Sequence, residues 1–133
     1  MTIGELIAGV NFVGVIVGAV MAFLLGWLWY SPMLFGRKWA EGVGVEMGTA
    51  DTMPAGAMIS QFIGLVLVSW LVGVTAVSNA LLTILLAAVA FALLGYAGGM
   101  FRKNSGYARM TDAGYLVASV IVMIICQGIF RSL

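Results

Sequence analysis

The chain has 133 residues, 63% of them hydrophobic and 8% charged, with six Lys and Arg against five Asp and Glu. A soluble domain carries roughly 25% charged residues, so a fold kept in water by a charged surface is excluded. A net charge of +1 offers no broad basic field, and no nucleic-acid partner is expected. The absence of His and the presence of one cysteine, Cys126, exclude an internal disulfide and a Cys/His metal site. No cofactor is expected either.

Taken in order, Thr2-Ile3-Gly4-Glu5 has the spacing of a capping box. The apolar run over residues 6–30 is longer than the roughly 7–15 residues of a signal-peptide core and reads as a retained span. A first helix is predicted over 3–29. Gly14, Gly18, Ala22 and Gly26 recur every four residues along it. The stripe suits a close helix–helix seam. Simple Gly and Ala enrichment, common in membrane helices, would also produce it.

The run ends in Gly26-Trp27-Leu28-Trp29-Tyr30-Ser31-Pro32, followed by Phe35-Gly36-Arg37-Lys38-Trp39. Trp and Tyr favour the membrane–water boundary. Pro32 lacks an N–H and stops the helix. Arg37 and Lys38 mark a loop retained in the cytoplasm. Within 33–45, Phe35, Trp39 and Val43 share one helical face, which predicts a short interfacial segment made irregular by Gly42 and Gly44.

Asp51 or Thr52 can cap the next helix. Residues 52–101 contain no charge. A bilayer core needs roughly 20 helical residues, so this stretch holds two spans, 55–77 and 80–101. Ser78-Asn79 is the turn between them, and the two spans are antiparallel neighbours. A fourth helix is predicted over 111–130, capped by Thr111 with Asp112 at its positive end. The fold class is therefore all-α and integral to the membrane: one four-helix transmembrane domain over 1–133, with a short cytoplasmic interfacial segment after helix 1.

Orientation follows from the cations. Arg37, Lys38, Arg102, Lys103 and Arg109 lie on one side and Arg131 on the other. The positive-inside rule places both termini outside, in an inner membrane.

At Gly26, Trp29-Tyr30-Ser31-Pro32, Phe35-Gly36 and Trp39 the chain resembles a small bacterial membrane family, domain of unknown function 1761. The resemblance implies a membrane protein and carries no activity. The chain resembles small four-helix multidrug exporters in size and span count alone. The carboxylate expected in their first helix is missing, and no ionisable group lies deep in any span, which disfavours proton-driven export.

Neutral polar groups remain, in two layers. At ~1.5 Å per helical residue, Ser60, Gln61, Tyr96 and Tyr115 sit about 6–9 Å below the cytoplasmic boundary. Asn11, Thr83 and Gln127 sit at a similar depth below the outer one, with Ser69, Trp70 and Ser119 between. Such groups could line a pocket or pore, or could only bridge helices. Mid-bilayer Trp70 faces lipid or plugs a cavity. Further stripes at Gly56, Ser60 and Gly64, at Gly95 and Gly99, and at Gly114 and Ala118 suit a homo-oligomer. Enzyme signatures are missing, and the protein is read as a non-enzyme.

Two readings of function stand: an oligomeric passive channel or solute-binding protein for a small neutral or anionic solute, and a non-transporting interaction module. In the second, a protein partner docks on the aromatic interfacial segment. The cytoplasmic cations could converge on an anionic ligand or touch anionic lipid headgroups.

Overall fold

A computed structural model describes residues 2–46 and 55–131. Among these residues the regular structure is helical: α1 (Gly4–Ile7), α2 (Phe12–Trp29), α3 (Gly36–Val43), α4 (Ala55–Val77), α5 (Leu81–Phe101) and α6 (Gly106–Phe130). α2, α4, α5 and α6 are each long and apolar enough to cross a membrane. The outward surfaces are largely apolar, with Leu82 83% and Leu86 70% exposed on α5. Water would not tolerate so continuous an apolar surface, and a bilayer would. The chain has the fold of a multi-pass membrane protein.

α6 is the central helix and lies against α2, α3, α4 and α5. α2 runs antiparallel along it. A Cβ at Gly14 would stand 2.9 Å from Gln127 Nε2, one at Gly18 3.4 Å from Met123 Cα, and one at Gly26 2.6 Å from the Tyr115 hydroxyl. Gly73 of α4 meets Val15 of α2 in the same way, 2.9 Å from its Cγ2. Ala22, Leu65, Val72, Ile84, Ala88, Val120 and Met123 form the core shared by the four long helices.

The first predicted helix is two helices. Gly9 has φ +73°, a left-handed conformation that interrupts the ladder. Asn11 then caps α2, its side-chain oxygen accepting from Gly14 N at 3.1 Å. Its amide nitrogen donates to the Phe130 carbonyl at the end of α6, and Gln127 Nε2 donates to the Asn11 carbonyl at 3.3 Å. These bonds across the bundle hold the break open. α2 keeps 18 residues, about 27 Å at ~1.5 Å per residue, close to a hydrocarbon thickness of ~30 Å. The expected capping box does not form, since Ile3 occupies the cap position without a side-chain bond.

The predicted start of the last helix is also corrected. α6 begins at Gly106, where Ser105 Oγ accepts from Ala108 N at 3.1 Å. Thr111 is buried inside the helix and its hydroxyl donates to the Tyr107 carbonyl at 2.8 Å. Asp112 is thereby freed from the helix end. The expected caps at Asp51 and Thr52 lie outside the described residues. The Ser78-Asn79 turn is present, with Asn79 at φ 54° and Ala80 N donating to the Thr75 carbonyl at 2.8 Å. α4 and α5 touch each other less than α4 touches α2 or α5 touches α6, because α4 leans mainly on α2 and α5 on α6.

Candidate functional site: a lateral cleft and its anchor

The end of α2 is fixed by one carboxylate. Pro32 and the turn after it reverse the chain, and Gly36 N donates to the Ser31 carbonyl at 2.9 Å. A side chain at Gly36 would run into the Tyr30 and Ser31 carbonyls, so only glycine permits the reversal. α3 then folds back onto α6. Gly42 lies inside α3 and admits Ser105 and Ala108, rather than making the segment irregular. Gly44, at φ +86°, ends the helix.

Asp112 Oδ1 accepts from the Tyr30 hydroxyl at 2.5 Å and from Trp39 Nε1 at 2.9 Å. Trp29 Nε1 donates to the Thr111 carbonyl at 2.9 Å. Tyr30 stacks edge-on to Trp39 at 5.0 Å and to Tyr115 at 5.5 Å, and Trp29 meets Phe35 at 4.9 Å. Burial first, and then the hydrogen bond and charge of Asp112, push the Tyr30 phenol above its ordinary range. It therefore stays a neutral donor.

This anchor gathers half of the interfacial motif. Trp29, Tyr30, Phe35 and Trp39 are built into it. Trp27 (62% exposed) and Pro32 face outward, Arg37 is exposed, and Lys38 Nζ lies 5.4 Å above the Tyr107 ring. Asp112 is the anchor residue that the sequence reading misplaces. Its signal is Asn104-Ser105-Gly106, which could have capped the helix two turns earlier.

Tyr115 connects the anchor to a cleft. Its hydroxyl donates to the Ala22 carbonyl at 2.7 Å, in space left by Gly26. Its other edge faces a lateral opening between α4 and α6, about 300 Å³ in volume. Ser60, Gln61 and Gly64 form the α4 lip, Leu65 and Val68 the wall, and Tyr115, Leu116 and Ser119 the α6 side. No lining residue is charged. One turn deeper, Ser69 Oγ donates to the Val15 carbonyl at 2.7 Å.

Ser119 is different. It is 1% exposed, lines the cleft, and its Oγ has no hydrogen-bond partner among the described residues. A buried hydroxyl left unpaired costs roughly 1–3 kcal/mol, which a bound polar group would offset.

Of the ten polar positions singled out from sequence, the cleft brings together Ser60, Gln61, Tyr115 and Ser119. Tyr96 lies elsewhere, under the Arg109 guanidinium at 4.8 Å. Asn11 and Gln127 pair at the opposite end of the bundle. Thr83 is exposed on α5. Trp70 is half-buried, and its Nε1 donates to the Leu6 carbonyl at 2.6 Å, which ties α1 to α4.

One family model matches residues 13–130, α2 through α6, and is described as Protein of unknown function (DUF1761). Comparison with curated proteins and with solved structures gives no match.

Proposed function

The chain belongs to this family of unknown function, and we propose that it is a membrane-embedded binding protein that takes a small uncharged amphiphile from the bilayer into the α4–α6 cleft. The observation that carries this reading is the uncharged cleft itself, lined by Ser60, Gln61 and Tyr115, with the buried, unpartnered Ser119 hydroxyl behind its wall. A charge-free, mostly apolar lining suits a neutral ligand with one polar end. The tightly packed core of Ala22, Val72, Val120 and Met123 favours a lateral site over an axial pore. Both termini lie outside an inner membrane in this reading, with the anchor at the cytoplasmic face.

The test is photolabelling in nanodiscs with a long-chain alcohol carrying a diazirine, mapped by peptide mass spectrometry. Label concentrates on α4 and α6 around Ser60 and Leu116, unlabelled alcohol competes, and Ser119→Ala reduces it about fivefold, the value of roughly one hydrogen bond. Label spread evenly over exposed α5 and unchanged by Ser119→Ala overturns the reading.

A second reading, assembly with another copy, is favoured by Gly56 and Gly64, whose missing side chains would meet nothing within 4 Å among the described residues. Such a face accepts a neighbouring helix closely. Disulfide formation by Gly56→Cys in a Cys126→Ala background, absent for Leu86→Cys, supports it; equal yields from both count against it. For a protein partner, α3 offers Arg37, Lys38 and Glu41, which are exposed, since Phe35 and Trp39 are turned onto α6 and α2.

A further inference from the structure

The cations at the α5–α6 turn form a feature separate from the cleft. Arg109 is the most constrained of them. Its stem fills the space left by Gly99, where a Cβ would stand 2.7 Å from Cγ, and its guanidinium lies over the Tyr96 ring at 4.8 Å. One nitrogen, Nη2, is 3.4 Å from where a Gly106 side chain would begin. Arg109 Nε is buried and has no hydrogen-bond partner among the described residues. The acid one turn along α6, Asp112, has committed Oδ1 to Tyr30 and Trp39. Arg102 lies against Gly98, one residue from the glycine that receives Arg109, with Nη1 3.4 Å from that glycine's Cβ position. Gly98, Gly99 and Gly106 thus make room for two guanidinium groups at one end of one hairpin.

We propose that this turn binds a phosphate group, with Arg109 as its fixed ligand and Arg102 as a second contact. A guanidinium held over an aromatic ring, with its stem packed on Gly99, has already lost much of its rotamer freedom and offers N–H groups to a tetrahedral anion. Its Nη groups are the donors an anion meets, since Nε is buried beneath them. The turn stands at the end of two spans, at the depth of lipid headgroups. The phosphate can belong to an anionic phospholipid or to a free phosphate species.

The experiment separates these sources. Purified protein is equilibrated in nanodiscs of phosphatidylcholine with phosphatidylglycerol, and retained lipid is counted by native mass spectrometry. Separately, thermal protection by inorganic phosphate is measured in phosphatidylcholine alone. A headgroup site retains phosphatidylglycerol preferentially, and Arg109→Gln lowers that preference about fivefold, the effect of roughly one cation near the surface. Arg109→Lys, which keeps the charge and loses the fork, also lowers it. Arg37→Gln on α3 leaves it unchanged. A free-phosphate site shows protection by inorganic phosphate that Arg109→Gln abolishes, without lipid preference. Arg102→Gln alters an exposed side chain and weakens whichever ligand binds, so the proposal stays testable if Arg109→Gln fails to fold. Absence of both effects, or an equal loss in Arg37→Gln, overturns it.

Discussion

Replacing Asp112 tests how the α2–α3 reversal is held. Asp112 Oδ1 accepts two bonds, from Tyr30 at 2.5 Å and Trp39 at 2.9 Å. A hydrogen bond to a charged group contributes about 1.5–3 kcal/mol, and the half-buried position puts each bond at the lower end. Asp112→Ala leaves the phenol and the indole N–H without their acceptor and is expected to cost about 3 kcal/mol. Asp112→Asn keeps one carbonyl oxygen, loses the charge, and is expected to cost about 1–2 kcal/mol. The assay is reversible unfolding in mixed micelles with increasing dodecyl sulfate, followed by far-UV circular dichroism. Double-mutant cycles pair Asp112→Asn with Tyr30→Phe and with Trp39→Phe. Each should give a coupling near 1 kcal/mol, well above the ~0.3–0.5 kcal/mol scatter of independent sites. Trypsin supplies a second readout. Arg37 and Lys38 are exposed on α3, and cleavage after them should accelerate when the anchor is lost. Additive cycles with unchanged tryptic rates would refute the anchor.

Gly36→Ala places a methyl against two carbonyl groups that belong to the turn itself; folded yield should fall sharply, and a wild-type yield contradicts the stated role of Gly36. Gly26→Ala should displace the Tyr115 hydroxyl, 2.6 Å from the new carbon, and cost about 1–3 kcal/mol of unfolding free energy. Gly64→Ala meets nothing within 4 Å among the described residues and should be neutral or slightly stabilising in monomeric protein, since it removes helical glycine. The folded state holds the Tyr30 phenol protonated beyond its ordinary pKa, 10.0, while the unfolded chain ionises there. Stability is therefore full below pH 10 and falls as pH rises beyond it, and Tyr30→Phe should flatten that alkaline limb in a pH series of unfolding curves. Without ligand, Ser119→Ala removes an unpaired buried hydroxyl and should leave stability unchanged or raised; a loss above about 1 kcal/mol would mean the hydroxyl has a partner.

The long spans are legible because burial in hydrocarbon demands uncharged helical runs. Residues 52–101 can only be divided at Ser78-Asn79, and α4 and α5 fall on either side of that turn. The break at Gly9 is not legible. A glycine among Ile and Val reads as packing, and what opens the helix is tertiary: Asn11 reaching Phe130, and Trp70 reaching Leu6. The early start of α6 is obscured because Arg109 looks like a loop residue and Asp112 like the first turn of a helix capped by Thr111, whereas both sit inside a helix that begins at Gly106. The residue types of the cleft can be read as polar groups at depth. Their grouping cannot, since the rotation of each helix is set by contacts such as Gly26 with Tyr115. That rotation puts Tyr115 and Ser119 in the cleft and Tyr96 under Arg109.

The four crossings are tested most directly by cysteine labelling from each side of the membrane, in a Cys126→Ala background, with a maleimide that cannot cross lipid. Asn79→Cys should react in intact spheroplasts, and Lys38→Cys and Lys103→Cys only in inverted vesicles. Reaction of Asn79→Cys and Lys103→Cys from the same side would mean that α5 does not cross, and the bundle described here could not stand in a bilayer.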